Sequence, residues 1–202
     1  MFHQIKKVVA KRLESPPIVL RDTDPKALLK RYAEGERNFS GVKLSQANLE
    51  GANLSGVNFQ GTDLSLANLS HANLEGANLT GAFLSGADLI KTNLRAAVLS
   101  QANLIGADLT GVDLTGAKLN HAVLGGAVLI GSCLRKTDLR HASLNGANLM
   151  GAKITHSDLS KANLSGSNLT EASFSYCTLT DVDFRGAILP DGSAEDENTR
   201  LE

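Results

Sequence analysis

Residues 52–56 read Ala-Asn-Leu-Ser-Gly, and variants of this five-residue unit follow one another without a break from residue 39 to residue 189. An apolar residue, usually Leu and in a few places Phe or Ile, stands at every fifth position, which gives thirty-one units. A small residue, most often Ala, stands two positions before it. One structural rule must therefore account for about three quarters of the chain.

A period of five excludes a continuous helix or strand, which repeat near 3.6 and 2 residues. The backbone must change direction once per unit, so that every Leu returns to a common axis. Short units that bury their apolar residues only by stacking are typical of solenoids. The small residue points to the same side as the Leu and fills the space between leucines.

Glycines indicate how many units complete one coil. Every twentieth residue of one column is glycine: Gly86, Gly106, Gly126, Gly146, Gly166 and Gly186. Four units per coil predict a rod of square cross-section with about seven to eight coils. Because glycine stands third in each turn, we expect type II turns along this column. We expect the corner with His121, His141 and Lys161 to depart from type II.

The consensus Ala-(Asn/Asp)-Leu-X-Gly resembles the pentapeptide repeat family. A short predicted helix followed by Gly-Glu-Arg-Asn-Phe-Ser-Gly at residues 35–41 is similar to cyanobacterial-type members with a single uninterrupted repeat domain. The resemblance implies an all-β solenoid, a right-handed quadrilateral β-helix with a short N-terminal α-helical cap. We expect an N-terminal helical segment at 1–38, the β-helix at 39–189 and a disordered acidic tail at 190–202.

The first 34 residues predict two helices. Residues 1–14 form an amphipathic pattern, which we interpret as a helix packed on its neighbour, with attachment to an anionic membrane surface as the alternative. Its apolar residues are Phe2, Ile5, Val8, Val9 and Leu13, and the basic ones are Lys6, Lys7, Lys11 and Arg12.

The second helix begins at the N-cap Asp24, with Pro25 at its first position, and ends at Gly35. The first coil of a solenoid has no coil above it, so its leucines and backbone need a cover. We expect the second helix to supply this cap through four residues: Leu28, Leu29, Tyr32 and Phe39. No such helix follows Leu189, so we expect Phe174 and Phe184, the tail or a second copy to close that end, the last as a homodimer.

Composition and motifs favour a cytoplasmic protein that is not an enzyme. The net charge is −1, and the sequence has no apolar run long enough to span a bilayer. Cys133 and Cys177 should lie about two coils apart, beyond disulfide reach, as free thiols. We find no nucleophile–base pair, phosphate loop or metal motif, so we expect no catalytic residue, cofactor or metal, and no direct contact with nucleic acid. His121 and His141 should stack, but no third ligand completes a metal site.

Apolar residues at outward positions concentrate in the middle coils, where most other units are polar. They are Phe83, Ile90, Val98, Ile105, Val123, Val128, Ile130 and Met150. Exposed apolar patches often mark partner surfaces. We therefore expect a non-catalytic structural or protein-interaction module whose contact with an unidentified protein partner is this set.

The resemblance also offers an alternative. The family includes quinolone-resistance proteins that bind and protect DNA gyrase, a type II topoisomerase, by presenting a DNA-like acidic rod. This chain shares the predicted rod but carries eleven acidic and ten basic residues in the repeats, and it lacks loop insertions between coils. The charge balance favours the general interaction module over the DNA mimic.

Overall fold

The structure is a computed structural model that describes residues 24–194. Helix α1 spans Pro25–Ala33, strand β1 spans Lys153–Thr155 and strand β2 spans Ser173–Ser175. β1 and β2 pair in parallel, with Ile154 opposite Phe174. The predicted helix at 1–14 and the acidic residues beyond 194 lie outside the described residues.

The repeats form a four-sided stack of coils. Parallel bridges join residues twenty apart, from Asn38–Asn58 to Asn168–Ile188. Around Asn68, the N–H donates to the carbonyl of Ala47 (2.9 Å), and the carbonyl accepts from the N–H of Leu49 (2.8 Å). Each side of a coil thus contributes a bridged residue rather than a long strand, because the chain turns after every Leu. The predicted coil of twenty residues is confirmed, while β1 and β2 are the longer strands of the described part.

The corners share a left-handed backbone conformation at one position. The third residue of every turn from Gly41 to Gly186 has positive φ. Along the column that begins at Gly86, φ lies between +64° and +69°, as predicted for glycine. The N–H of Ala87 donates to the carbonyl of Leu84 at 3.1 Å and closes the turn, and most other corners close in the same way.

The prediction for the histidine corner is wrong. His121, His141 and Lys161 have φ of +61°, +59° and +61°, like the glycines. The turn at His121 is closed by a 3.0 Å bond from the N–H of Ala122 to the carbonyl of Leu119. A left-handed residue other than Gly costs roughly 1–2 kcal/mol. The bonds between coils outweigh that strain, because any other turn would shift the ladder out of register.

The core is a continuous column of Leu and Ala. Leu54, Leu74 and Leu94 are fully buried, as are most residues at equivalent positions. Aromatic rings stand near both ends: Phe39 and Phe59 lie 6.2 Å apart, and Phe174 and Phe184 lie 6.3 Å apart edge to face. Interior packing leaves the outer sides and the two ends as the surfaces on which function can depend.

Candidate functional site: apolar strips on the rod

The predicted apolar set separates onto different sides of the rod. Phe83, Asn103 and Val123 are bridged in one column, and Ile105 follows Asn103 at the adjoining corner. Val98 lies on another side, between Asn78 and Lys118, and is half-buried. The eight residues therefore do not form one patch.

The first corner strip consists of Leu66, Phe83, Ile105 and Val123. Their exposed fractions are 61%, 50%, 49% and 37%. Leu66 was not in the predicted set, although its place twenty residues before Gly86 puts it at the same corner. Its side chain lies over Gly86: a Cβ there would stand 2.8 Å from Leu66 Cδ2. The strip extends over four consecutive coils.

The second-side column consists of Ile90, Val128, Ile130 and Met150. Val128 is bridged to Asp108 and to Asn148, the residue two before Met150, so these side chains share one side. Met150 is 38% exposed, and the other three are half-buried. Ile188, which lies outside the predicted set, continues the column near the C-terminal end with 40% exposure.

Carboxylates flank the first corner strip. Asp63 precedes Phe83 in its column, and Asp88 and Asp108 stack on the next side. One oxygen of Asp88 accepts from the N–H of Ile90 at 3.0 Å, and one of Asp108 accepts from the N–H of Thr110 at 2.9 Å. Within residues 24–194, none of the three carboxylates forms an ion pair. The strip therefore has an acidic margin.

Helix α1 lies on the first coil. Leu28 is fully buried in the same cluster as Phe39, and Leu29 and Tyr32 pack against that cluster. The Tyr32 hydroxyl donates to the carbonyl of Ser55 at 2.8 Å. At its N-terminus, Asp24 accepts from the N–H of Lys26, as the predicted N-cap requires. These positions fit the expected cap.

The C-terminal end is less completely covered. Phe174 and Leu179 are half-buried, and they line an apolar depression of about 410 Å³ with Phe184 and Leu189. The chain folds back at its end, where the Leu189 N–H donates to the carbonyl of Ser193 at 2.7 Å. This hydrogen bond takes the place of one that a further coil would accept. The turn leaves the apolar side chains of the depression partly exposed.

A basic and aromatic depression lies at the corner of β1 and β2. The rings of His156 and Tyr176 stack at 4.8 Å, and Tyr176 is 83% exposed. Arg135 and Lys153 line the same depression of about 550 Å³. Beneath this corner, the Cys177 thiol donates to the carbonyl of Ile154, and burial raises the pKa of that thiol. Sequence spacing of twenty could have found the ring stack.

The candidate metal pair behaves as stacked rings. His121 and His141 lie 4.7 Å apart with an interplanar angle of 5°. Within the described residues, no group of three His, Cys, Asp or Glu side chains is placed to hold a metal ion. Cys133 and Cys177 are free thiols, as predicted. No helix of the described part has the length and apolar character needed to cross a membrane.

Two carboxylates are held by neighbouring arginines. Arg140 donates to Asp138 at 2.7 Å, and Arg185 donates to Asp183 at 2.7 Å. These hydrogen bonds hold the pKa of each carboxyl below its ordinary value. Arg140 also lies 3.9 Å from Asp158, so one arginine offsets the charge of two stacked carboxylates.

Comparison with solved structures returns repeat proteins of the same kind. HetL, a pentapeptide repeat protein involved in heterocyst differentiation regulation from the cyanobacterium Nostoc sp. strain PCC 7120, is 30% identical over 86% of this chain and 100% of its own, with a TM-score of 0.38. QnrB1, a plasmid-mediated fluoroquinolone resistance protein, is 19% identical over 75% of this chain and 81% of its own, with a TM-score of 0.45. Rfr23, a pentapeptide repeat protein from the cyanobacterium Cyanothece 51142, is 21% identical over 85% of this chain and 99% of its own, with a TM-score of 0.23.

None of the curated proteins compared with the chain matches it. The family model described as Pentapeptide repeats matches in eight copies, over residues 38–70, 67–106, 107–146 and 147–187. These matches run from residue 38 to residue 187 and cover the parallel ladder except for its last bridged residue, Ile188. The chain therefore belongs to the pentapeptide repeat family.

Proposed function

We propose that this chain is a non-catalytic interaction module that binds a protein partner through the second-side column. The observation that carries the proposal is the replacement of polar residues by Ile130 and Met150 at equivalent outward positions of successive coils. Each coil is fixed to the next by backbone bonds such as that from the Gly131 N–H to the carbonyl of Met150 (2.9 Å). A surface held in this way loses little conformational entropy on binding.

The column has the form expected of a contact centre. Val128 lies between Asp108 and Asn148 in the bridged ladder, so the apolar side chains of the column have polar neighbours. Protein interfaces typically place apolar contacts at the centre and polar ones at the rim. We propose that Val98, which stands alone on another side, does not belong to this contact.

The test is quantitative capture of partners from the native host with the full chain as bait. The double variant Ile130→Asp/Met150→Asp should lose the partner, because two buried carboxylates would be left without a counter-charge. Ser100→Asp/Asn120→Asp places the same charges at the equivalent turn position of another corner and should retain it. Equal recovery of every partner by both variants would overturn the proposal.

We further propose that the C-terminal depression is a contact between two copies of the chain. Phe174 and Leu179 remain half-buried there, whereas α1 covers the opposite end.

The free thiols fit a reducing compartment, and we propose the cytoplasm as the location of the protein. Both proposals are independent of the second-side column.

The gyrase-protection alternative has one observation for it and one against it. Asp88 and Asp108 stack on one side, and Asp138 and Asp158 on another, as in a rod that presents regular negative charge. Arg140, however, pairs with Asp138 and approaches Asp158. A gyrase supercoiling assay that shows no effect of the chain, with or without a quinolone, would exclude this alternative.

A further inference from the structure

The described chain begins at the top of the first corner strip. Asp24 and Pro25 line a depression of about 500 Å³ together with residues 43–48. Those residues form the corner of the first coil, and the bridge from Lys43 to Asp63 continues that corner towards Phe83. Residue 24, where the described part of the chain begins, therefore lies directly above the strip.

We propose that residues 1–14 form an amphipathic helix that docks along the first corner strip. Fourteen helical residues measure about 21 Å at roughly 1.5 Å per residue. Three coil steps from Leu66 to Val123 measure about 14 Å at a strand spacing of roughly 4.8 Å. Residues 15–23 span up to about 30 Å when extended, so the helix reaches the whole strip in either direction.

The apolar surfaces of segment and strip are matched. Phe2, Ile5 and Val9 repeat at the spacing of one helical face, and Phe83 and Ile105 are each about half exposed. The corner also leaves space at Gly106, where a Cβ would meet no atom within 4 Å outside its chain neighbours. A helix can therefore approach the backbone closely between the strip's side chains.

The charges are matched as well. Lys6, Lys7 and Lys11 accompany the apolar residues of the segment, while Asp63 and Asp88 border the strip without an ion-pair partner among the described residues. Docking would bring these opposite charges together at a partly solvated margin. Surface pairs of this kind contribute little to affinity but favour one orientation.

A single tryptophan reports whether the strip is covered, because the natural chain contains none. In the full chain, the Phe83→Trp reporter should show blue-shifted emission and several-fold weaker quenching by acrylamide than a Tyr176→Trp reporter. Adding Ile5→Asp/Val9→Asp should abolish this protection. The matched variant His3→Asp/Gln4→Asp adds the same charges to the polar face and should preserve it. Ile105→Trp provides an independent second reporter, and circular dichroism checks the fold of every variant.

The other possible occupants give different results. Protection that disappears on dilution, with a mass of two chains by light scattering, would assign the strip to a second copy and overturn the proposal. Protection that arises only with phosphatidylserine vesicles would assign it to a lipid surface and also overturn it. Equal quenching of the reporters at positions 83 and 176 under all conditions would show an uncovered strip. None of these results bears on the second-side column, so the two proposals can fail separately.

Discussion

Leu66 lies over Gly86, with its Cδ2 at 2.8 Å from the point that a Cβ of residue 86 would occupy. Gly106, one coil further on, has the same φ of +64° and open space around it. Gly106→Ala should lower the free energy of unfolding by roughly 1–2 kcal/mol through backbone strain alone. Gly86→Ala should lower it further, because Leu66 must also move.

Urea unfolding of the two variants measures this difference, and the Leu66→Ala background supplies the control. In that background, Gly86→Ala and Gly106→Ala should lower the free energy of unfolding by equal amounts. A double-mutant cycle requires this result when the contact with Leu66 is removed. A difference that persists without the Leu66 side chain would show that the packing explanation is wrong.

The left-handed corners make a second prediction. Gln101 and His121 both have φ of +61°, a conformation that glycine adopts without strain. Gln101→Gly should raise the free energy of unfolding by up to about 1 kcal/mol, after the larger entropy of glycine in the unfolded chain is subtracted. His121→Gly should gain less, because it also removes the ring stack on His141. Thermal unfolding of the two variants measures this difference. An equal gain in the free energy of unfolding would mean that the ring stack contributes nothing.

The repeat pattern predicted the coil of twenty residues because one spacing determines both bridging and burial. It failed at His121, because the residue type within one unit does not determine the turn, which is imposed by the coils on either side. It also missed Leu66 and Tyr176, which interrupt columns of small or polar residues. The same spacing would have located both, but their exposure depends on how neighbouring side chains fill the corner, which a repeat pattern does not encode.

The cap makes a third prediction. Leu28 is fully buried, whereas Leu29 on the same helix is half-buried. Leu28→Ala should lower the free energy of unfolding by roughly 2–5 kcal/mol, the range for a large core side chain. Leu29→Ala should lower the free energy of unfolding by clearly less.

Removal of residues 1–34 should raise aggregation, measured by light scattering, because it uncovers the first coil. An equally soluble and stable truncated chain would contradict the capping role.

Acid should weaken the rod at its arginine–carboxylate pairs. The pKa of Asp138 and of Asp183 is lowered in the fold. At a pH near the ordinary pKa of aspartate, the unfolded chain therefore binds more protons than the folded chain. The contribution of these two carboxylates to the free energy of unfolding is therefore complete above the ordinary pKa of aspartate. It is lost as the pH drops from about 5 through the pKa of the folded state. Urea midpoints between about pH 7 and about pH 3 should decline, and Arg140→Gln should flatten the decline.

Arg135→Gln is the matched control for this pH experiment. Arg135 has no carboxylate partner among the described residues, so its removal should leave the slope unchanged. If Arg140→Gln and Arg135→Gln gave the same pH dependence as the natural chain, the Asp138 pair would not be a source of acid sensitivity.

The exposed C-terminal end makes the last prediction. Leu179 lines the apolar depression there with Phe174, and burying such side chains against a second copy would remove their apolar surface from water. Sedimentation at increasing concentration should therefore show two chains associating. Leu179→Asp should keep the chain monomeric, because the contact would bury an unpaired carboxylate. Met150→Asp, at the second-side column, should leave association unchanged. A natural chain that stays monomeric at all concentrations, or a Leu179→Asp chain that still associates, would rule out this end as the contact.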